Sequence, residues 1–145
     1  MKAVMFMVPG KPQGKARART FHHTDAGKNI SMTPDNTVLY ENFIKERYLA
    51  ESEGMYLEAG TPVTLRIVAR FLPPQSTSKK IRLEMLEGKI FCLKKPDMDN
   101  SIKVVADALN GVVYHDDTQI ILVQAKKVYS AIEGLDITVE EYIGG

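Results

Sequence analysis

The residues best suited to chemistry in this sequence are carboxylates concentrated in residues 95–117, here called the acid stretch. Its five aspartates are Asp97, Asp99, Asp107, Asp116 and Asp117. Lys103 is the only cation between the first and the last of them. Carboxylates that converge repel one another unless a positive charge lies between them, and a hard divalent cation such as Mg²⁺ prefers oxygen ligands. The acid stretch therefore indicates a candidate magnesium site.

A helix followed by a tight turn is predicted to position these acids. Pro96 disfavours helical backbone at the residue before it, so the chain should arrive extended. An apolar face with helical spacing then predicts a helix that begins near Asp97 and ends at Gly111. That face consists of Ile102, Val105, Ala106 and Leu109. Residues 112–114 are predicted to form a short strand and residues 115–117 a turn, so the two acid-bearing ends of this unit can meet at one site.

A structural role for the same acids is the main alternative. Asp97 and Asp99 are good helix caps, and aspartates such as those at 116–117 commonly form turns. Asp107 follows Lys103 by four residues, which is the spacing of an ordinary helix ion pair, and we favour that role for it. The three histidines are interpreted as loop or turn residues. An EF-hand is excluded because the glycine and the glutamate that its calcium loop requires are missing.

Length and composition indicate one globular domain, residues 1–145, in a reducing cytoplasmic setting. The hydrophobic fraction of 44% is ordinary, and no segment approaches the roughly 18 apolar residues of a membrane span. The apolar run in residues 1–10 is too short for a signal peptide and is predicted to be a strand. Cys92 is the only cysteine, which excludes an internal disulfide and a cysteine-rich zinc site.

Two basic segments accompany the acid stretch, although the net charge is only +1. Residues 1–28 carry six basic residues against one acid, residues 76–96 carry six against two, and residues 133–145 carry four acids and no cation. Basic segments beside an acid cluster suit a polyanionic substrate held for metal-assisted chemistry, whereas solvated basic loops are the alternative. The candidate contacts to the polyanion are Lys11, Lys15, Arg17, Arg19, Lys79, Lys80, Arg82, Lys94 and Lys95.

The whole pattern predicts an α/β (α+β) fold, with about four to five strands in a mixed or antiparallel sheet and about three helices packed on it. Besides the acid-bearing unit, strands are predicted at 2–8, 61–72, 118–129 and 135–140, and helices at 37–52 and 76–86. Gly134 predicts a hairpin between the last two strands. Residues 9–36 are predicted to be a long loop, and a loop of that length in a compact domain is usually functional or disordered. Residues 10–16 within it depart from a P-loop in glycine spacing and in the missing hydroxyl at Ala16, so no nucleotide cofactor is expected.

The sequence also carries the signature of a known family. A resemblance to the RusA family of Holliday junction resolvases rests on Lys95-Pro-Asp-Met-Asp-Asn100, Lys103, Asp107-Ala-Leu-Asn-Gly111 and Asp116-Asp117-x-Gln119. More loosely, it extends to Gly10-Lys-Pro with Lys15, Arg17 and Arg19, and to Pro74-x-Ser76 with Ser78-Lys79-Lys80. The resemblance covers nearly the whole chain, and no charged position of the signature departs from the family pattern.

The resemblance implies a homodimeric, Mg²⁺-dependent endonuclease of phage or prophage character that resolves four-way DNA junctions in recombination and repair, with Mn²⁺ as an alternative metal. By position, Asp97, Asp99 and Asp117 match the family's catalytic, metal-binding acids. Asp116 is adjacent as a further metal ligand, and Lys103 matches the catalytic lysine. The basic segments are then expected to bind the arms of branched DNA, and no membrane partner is expected.

Two other classes of function remain open at this point. The first is a metal-dependent nuclease for flaps, forks or other branched DNA. The second is a non-catalytic protein that binds DNA structures, in which the acids only cap helices and form turns. Cleavage in the presence of a divalent metal would exclude the non-catalytic binding protein. A preference for four-way junctions would then distinguish a junction resolvase from a general nuclease for branched DNA.

Overall fold

The computed structural model describes residues 1–16, 19–23, 28–32 and 35–144, with side chains for residues 1–16 and 35–144. Within these ranges it contains a four-stranded mixed sheet, a separate two-stranded hairpin and three α-helices. The strands are β1 Ala3–Pro9, β2 Arg19–His23, β3 Lys28–Met32, β4 Val63–Phe71, β5 Ile120–Tyr129 and β6 Gly134–Glu141. The helices are α1 Asp35–Glu51, α2 Lys79–Leu86 and α3 Met98–Leu109, and a 3₁₀ helix, Asp117–Gln119, precedes β5.

The main sheet has the strand order β1-β6-β4-β5, which places the last strand of the chain in its interior. β6 pairs antiparallel with both neighbours, so that Ile137 lies between Phe6 of β1 and Ile67 of β4. β4 and β5 run parallel, with Ile67 opposite Ala125. Parallel neighbours require a long crossover, and the chain between them contains α2 and α3. The acid stretch is therefore the second half of the crossover that joins the two parallel strands.

The hydrophobic core lies between one face of this sheet and helices α1 and α3. β4 alternates, and its buried core-facing residues are Val63, Leu65, Ile67, Ala69 and Phe71. The helices contribute the buried side chains Tyr40, Ile44, Tyr48, Val104, Val105, Ala108 and Leu109. The opposite face of the sheet is more open, and its arginines Arg66 and Arg70 pair with Glu140 and Asp136. The alternation in the strands thus reflects a sheet that is covered by helices on one side.

The predicted fold class is confirmed, because the structure is a single domain with a four-stranded mixed sheet and three helices in the described ranges. The cap predicted for α2 is also present, since the Ser78 hydroxyl accepts a hydrogen bond from Ile81 N–H at 3.4 Å. Gly88 follows this helix with a φ of +79°, as a helix-ending glycine should. In the part of the chain that is described, no helix is long and apolar enough to cross a membrane.

The hairpin predicted at Gly134 is wrong. β5 and β6 do not pair, because β4 lies between them and residues 130–133 pass over the end of β4. The Arg70 guanidinium, near the end of β4, donates to Ile132 O at 2.8 Å and holds this connection in place. Alternating hydrophobicity indicates that a segment is a strand, but it does not indicate which strand lies beside it.

Two further local predictions are also wrong. Residues 112 and 113 form a turn instead of a short strand, and Tyr114 makes only isolated bridges to Leu57 and Asn110. Gly111 N–H donates to Tyr114 O at 3.0 Å. The apolar character of this segment reflects burial, since Val113 and Tyr114 are fully buried. The long loop predicted for residues 9–36 contains the antiparallel pair β2 and β3, in which Arg19 lies opposite Met32. These strands have five residues each, too few to give a sustained period.

Candidate active site

Helix α3 presents the first two acids at its amino end. Asp97 occupies the N-cap position, but its side chain makes no capping hydrogen bond, and its carbonyl accepts from Ser101 N–H at 3.0 Å. Asp99 lies in the first turn, where the helix dipole favours a carboxylate, and its Oδ1 accepts from Asn100 N–H at 3.0 Å. Both residues are exposed, and neither has an ion-pair partner among the described side chains. Their carboxylates are therefore accessible to a cation.

Asp107, near the other end of α3, is held by two lysines. Its Oδ2 lies 3.5 Å from Lys103 Nζ, so the ion pair predicted from the four-residue spacing is present. The same oxygen lies 3.2 Å from Lys15 Nζ, which is also 3.0 Å from Glu41 Oε2. The Lys103 side chain is 61% exposed, whereas that of Lys15 is only 18% exposed. The Lys103 side chain is thus open to solvent, while the Lys15 ammonium is engaged inside the fold.

The segment around Lys15 is packed directly on α3. Lys15 N–H donates to Asn100 O at 3.0 Å, and a Cβ at Gly14 would lie only 2.6 Å from Pro96 Cβ. Burial acts to lower the pKa of the Lys15 ammonium, but its hydrogen bonds to the two carboxylates outweigh burial and leave this pKa raised. The site helix is therefore fastened to α1 and to the segment after β1 through one charged side chain.

Tyr114 brings the second acid pair to the same helix. Its buried side chain donates from the hydroxyl to Ala106 O at 2.7 Å. Burial raises the pKa of Tyr114 far above its usual range, and the negative charges of Asp117, Asp107 and Asp116 raise it further. The Tyr114 hydroxyl thus ties the residue just before the second acid pair to the carboxyl-terminal half of α3.

The turn that carries Asp116 and Asp117 is fixed by hydrogen bonds on both sides. Thr118 Oγ1 donates to Asp116 Oδ2 at 2.7 Å, and this bond is the main reason why the pKa of Asp116 is lowered. Gln119 Oε1 accepts from Asp116 N–H at 2.9 Å, and its carboxamide nitrogen contacts backbone carbonyls of residues 57–61. The sequence indicated Gln119 only as part of a motif, and its contacts could not be predicted because residues 57–61 are distant along the chain.

The carboxylates of the site are chemically suited to bind Mg²⁺, but the described part of the structure does not place three of them together. Carboxylate oxygens are the ligands that this hard cation prefers. Within the described residues, however, no group of three Asp, Glu, His or Cys side chains is placed to hold a metal ion. The predicted ligands Asp97 and Asp99 lie at the amino end of α3, whereas Asp116 and Asp117 lie in the turn before β5. The predicted ligands thus lie on one structural unit without converging on a single point.

The predicted basic contacts differ in how exposed they are. Lys11, Lys79, Lys80 and Lys95 are exposed, and Arg82 and Lys94 are partly buried. Arg17 lies outside the described residues, as does the side chain of Arg19, and both assignments stay predictions. A cleft of about 360 Å³ opens beside the amino end of α3, and its lining residues are Gly14, Lys15, Lys95, Pro96, Asp97 and Asn100. Lys95, which has no ion pair among the described side chains, therefore lines the same cleft as Asp97.

Lys127 of β5 also contacts this site, although no sequence pattern predicted it. Its ammonium donates to Lys94 O at 2.7 Å and to Pro96 O at 3.3 Å. These carbonyls belong to the backbone that leads into Asp97, so β5 holds the start of the acid stretch in place. A local pattern cannot indicate this contact, because the sheet brings together residues that are 31 and 33 positions apart.

Comparison with known proteins gives two matches. The family model described as endodeoxyribonuclease RusA matches residues 9–140. A protein of Bacillus subtilis strain 168, named uncharacterized protein YqaN, is 26% identical over 132 residues. That alignment covers 91% of this chain and 87% of the Bacillus protein. The family match contains every acid and every lysine described above for the site.

Proposed function

Because the chain belongs to the RusA family of endodeoxyribonucleases, we propose that it is a magnesium-dependent nuclease that resolves four-way DNA junctions by paired, symmetric cleavage. The observation that carries this proposal is the family match over residues 9–140, which includes the complete candidate active site. Resolution of such junctions belongs to DNA recombination and repair. We further propose a reducing cytoplasmic setting and a phage or prophage origin.

Asp97, Asp99 and Asp117 are the proposed metal ligands, with Asp116 beside them. The exposure of Asp97 and Asp99, and their lack of ion pairs among the described side chains, support this role. When bound, Mg²⁺ or Mn²⁺ would supply stabilisation of the phosphoryl charge and an activated water. Asp97 and Asp99 would hold the metal from the amino end of α3, and Asp117 would hold it from the turn before β5.

Lys103 is proposed to donate to the scissile phosphate as negative charge develops on it. Its high exposure and its position one helical turn after Asp99 support this role. The contact with Asp107 is long, at 3.5 Å, and weak, because Lys103 is exposed and solvent screens the pair. Lys103 is thus kept near the acids and remains available to the substrate.

The arms of the DNA are proposed to lie along the exposed lysines. Lys79 and Lys80 form the first turn of α2, and Lys95 lies in the cleft beside Asp97. Cations at a helix amino end oppose the helix dipole, which is better accommodated if a polyanion binds there. Lys15 and the arginines Arg17 and Arg19 belong to the other proposed basic segment, in which Lys15 acts mainly through its internal ion pairs.

A two-fold symmetric homodimer is proposed because a junction must be cut at two related positions. β5 is an edge strand, and Ile121, Leu122 and Val123 in its first half are exposed apolar residues. The acids at 116–117 precede them, and the exposed lysine at 126 follows them. Two such strands in antiparallel arrangement would cover each other's apolar centres and bring acids beside lysines, which supports the β5 edge as the dimer surface.

Cleavage of a synthetic four-way junction tests this proposal, with a Y-fork and a linear duplex as comparison substrates, in Mg²⁺ and in EDTA. Paired symmetric nicks that DNA ligase reseals, formed only with Mg²⁺ and mainly on the junction, are the expected result. Equal cleavage of the fork would replace the proposal with a general nuclease for branched DNA. An Asp99→Asn variant that cleaves at the wild-type rate would refute the assignment of the site.

One observation favours a non-catalytic protein that binds DNA structures as a second candidate. The acids do not form a group of three ready to hold a metal in the described part of the chain, as expected if they serve only in caps and turns. That function predicts tight junction binding that does not depend on Mg²⁺, and no product with any divalent metal. The same experiment therefore separates the two candidates.

A further inference from the structure

We infer that Gln119 is a positioning residue that fixes the turn carrying Asp116 and Asp117, and that it thereby sets the affinity of the site for its divalent metal. This inference rests on the proposed function of those acids. Gln119 ends the 3₁₀ helix Asp117–Gln119, immediately before β5, and is partly buried. It acts through the backbone of the turn, so it needs to touch neither the metal nor the DNA.

Both polar atoms of the Gln119 carboxamide make hydrogen bonds. Oε1 accepts from Asp116 N–H at 2.9 Å. Nε2 lies 2.8 Å from Glu58 O, 3.0 Å from Thr61 O and 3.3 Å from Leu57 O. Glutamine is the side chain of this length that accepts at one atom and donates from the other, so neither glutamate nor an apolar residue can replace both functions.

The segment that receives these hydrogen bonds is itself anchored. Leu57 is 1% exposed, and its N–H donates to Val113 O at 2.7 Å, within the turn that follows α3. Thr61 N–H donates to Glu58 O at 3.0 Å, and the chain enters β4 two residues later. Gln119 therefore connects the turn that carries Asp116 and Asp117 to the core of the fold. Without this connection the turn would be held mainly by β5.

A fixed position of the turn that carries Asp116 and Asp117 matters more for metal affinity here than it would at a site whose ligands are already assembled. The described residues contain no group of three side chains placed to hold a metal, so a turn with more freedom would lose more entropy when a metal is bound and would bind it more weakly. Groups that orient metal ligands without touching the metal typically contribute roughly 10- to 100-fold in metal affinity or activity. The same range is expected for Gln119.

The test compares wild type with Gln119→Leu and Gln119→Glu, and uses Gln124→Leu as the matched control. Gln124 lies in β5, the strand that follows Gln119, is exposed, and its side chain bonds only to Arg66 Nε at 2.9 Å among the described residues. Gln119→Glu keeps the acceptor for Asp116 N–H but places a carboxylate against three carbonyls, so it distinguishes the two halves of the contact. Four quantities are measured: the Mg²⁺ dependence of junction cleavage, junction affinity in EDTA, hydrogen exchange, and Mg²⁺-induced shifts of the Asp116 and Asp117 amides.

Both Gln119 variants are expected to raise the half-maximal Mg²⁺ concentration by roughly 10- to 100-fold while junction affinity in EDTA stays unchanged. The Asp116 amide should exchange faster in Gln119→Leu, whereas amides of β4 should exchange as in wild type. The Gln124→Leu control should match wild type in every measurement. If a Gln119 variant loses exchange protection throughout β4, the residue is a general structural one and the inference is wrong.

The outcomes also separate this inference from the proposed function. If wild type cleaves junctions and the Gln119 variants show the wild-type Mg²⁺ dependence, only the inference fails. If wild type does not cleave but Mg²⁺ shifts the Asp117 amide, and the shift needs more Mg²⁺ in the variants, only the nuclease function fails. If wild type shows neither cleavage nor Mg²⁺-induced shifts, both are overturned.

Discussion

Replacing Lys15 by methionine should destabilise the fold, although sequence alone places this residue in a basic segment that suits a polyanion. Methionine keeps most of the apolar stem and removes the ammonium that lies 3.0 Å from Glu41 and 3.2 Å from Asp107. Hydrogen bonds to charged groups contribute about 1.5–3 kcal/mol each. Because these three side chains remain 17–23% exposed and Asp107 retains Lys103, we expect a loss of about 2 kcal/mol in total.

Thermal and urea unfolding measure this loss. About 2 kcal/mol corresponds to a decrease of roughly 4–8 °C in Tm for a domain of this size. Lys80→Met is the matched control, because Lys80 is exposed and has no ion pair in the described chain, and it should unfold like wild type. In the double variant Lys15→Met/Glu41→Gln the loss should be smaller than in Lys15→Met alone, since one unpaired carboxylate is removed.

The difference in the free energy of unfolding between wild type and Lys15→Met should depend on pH, because the pKa of Lys15 is raised. A group with a raised pKa in the folded state contributes stability that is fully present below its unfolded pKa, here 10.5, and is lost as the pH rises through the folded pKa. The gap between wild type and Lys15→Met should therefore be constant from pH 7 to about pH 10 and decrease above it. A Lys15→Met protein that unfolds within about 0.5 kcal/mol of the Lys80→Met control would refute the reasoning.

Four other predictions concern the site and the sheet. Asp99→Asn should abolish Mg²⁺-dependent cleavage, with junction binding in gel-shift assays unchanged or tighter because repulsion of the phosphate decreases; loss of binding would instead indicate a folding defect. Lys80→Ala should weaken binding to every branched substrate equally and reduce the slope of log K against log salt by about 1, and an unchanged slope would place the DNA elsewhere. Gly134→Ala should lower the free energy of unfolding, measured by urea denaturation, by more than about 1 kcal/mol. The reason is that the new Cβ would lie 2.8 Å from Val8 O, at a φ of +154°. A variant as stable as wild type would contradict this close approach. Ile121→Lys should convert the proposed dimer to monomer in light-scattering measurements, and a dimer that persists would exclude the β5 edge.

The sequence was sufficient where the determinants are local. The apolar positions of α3 recur at helical spacing, and α2 begins at a serine that caps it, so both helices could be located within a few residues. The Asp107–Lys103 pair is also local, because four residues in a helix bring two side chains to the same face. The residues that carry the family signature lie close together along the chain, so the amino-acid sequence is enough to show the resemblance.

The tertiary structure alone decided how these pieces are assembled. β4 lies between β5 and β6, so the hairpin expected at Gly134 does not form, and strand order depends on pairings between residues that are distant in sequence. Lys15 pairs with Glu41 and Asp107, Gln119 bonds to residues 57–61, and Lys127 holds the backbone before Asp97. A charge or an amide in a sequence does not specify its partner, because the partner is fixed by the packing of whole elements. Residue types and their spacing thus indicated the chemistry to which this sequence is suited. Long-range packing determined which side chains position the residues of the candidate site.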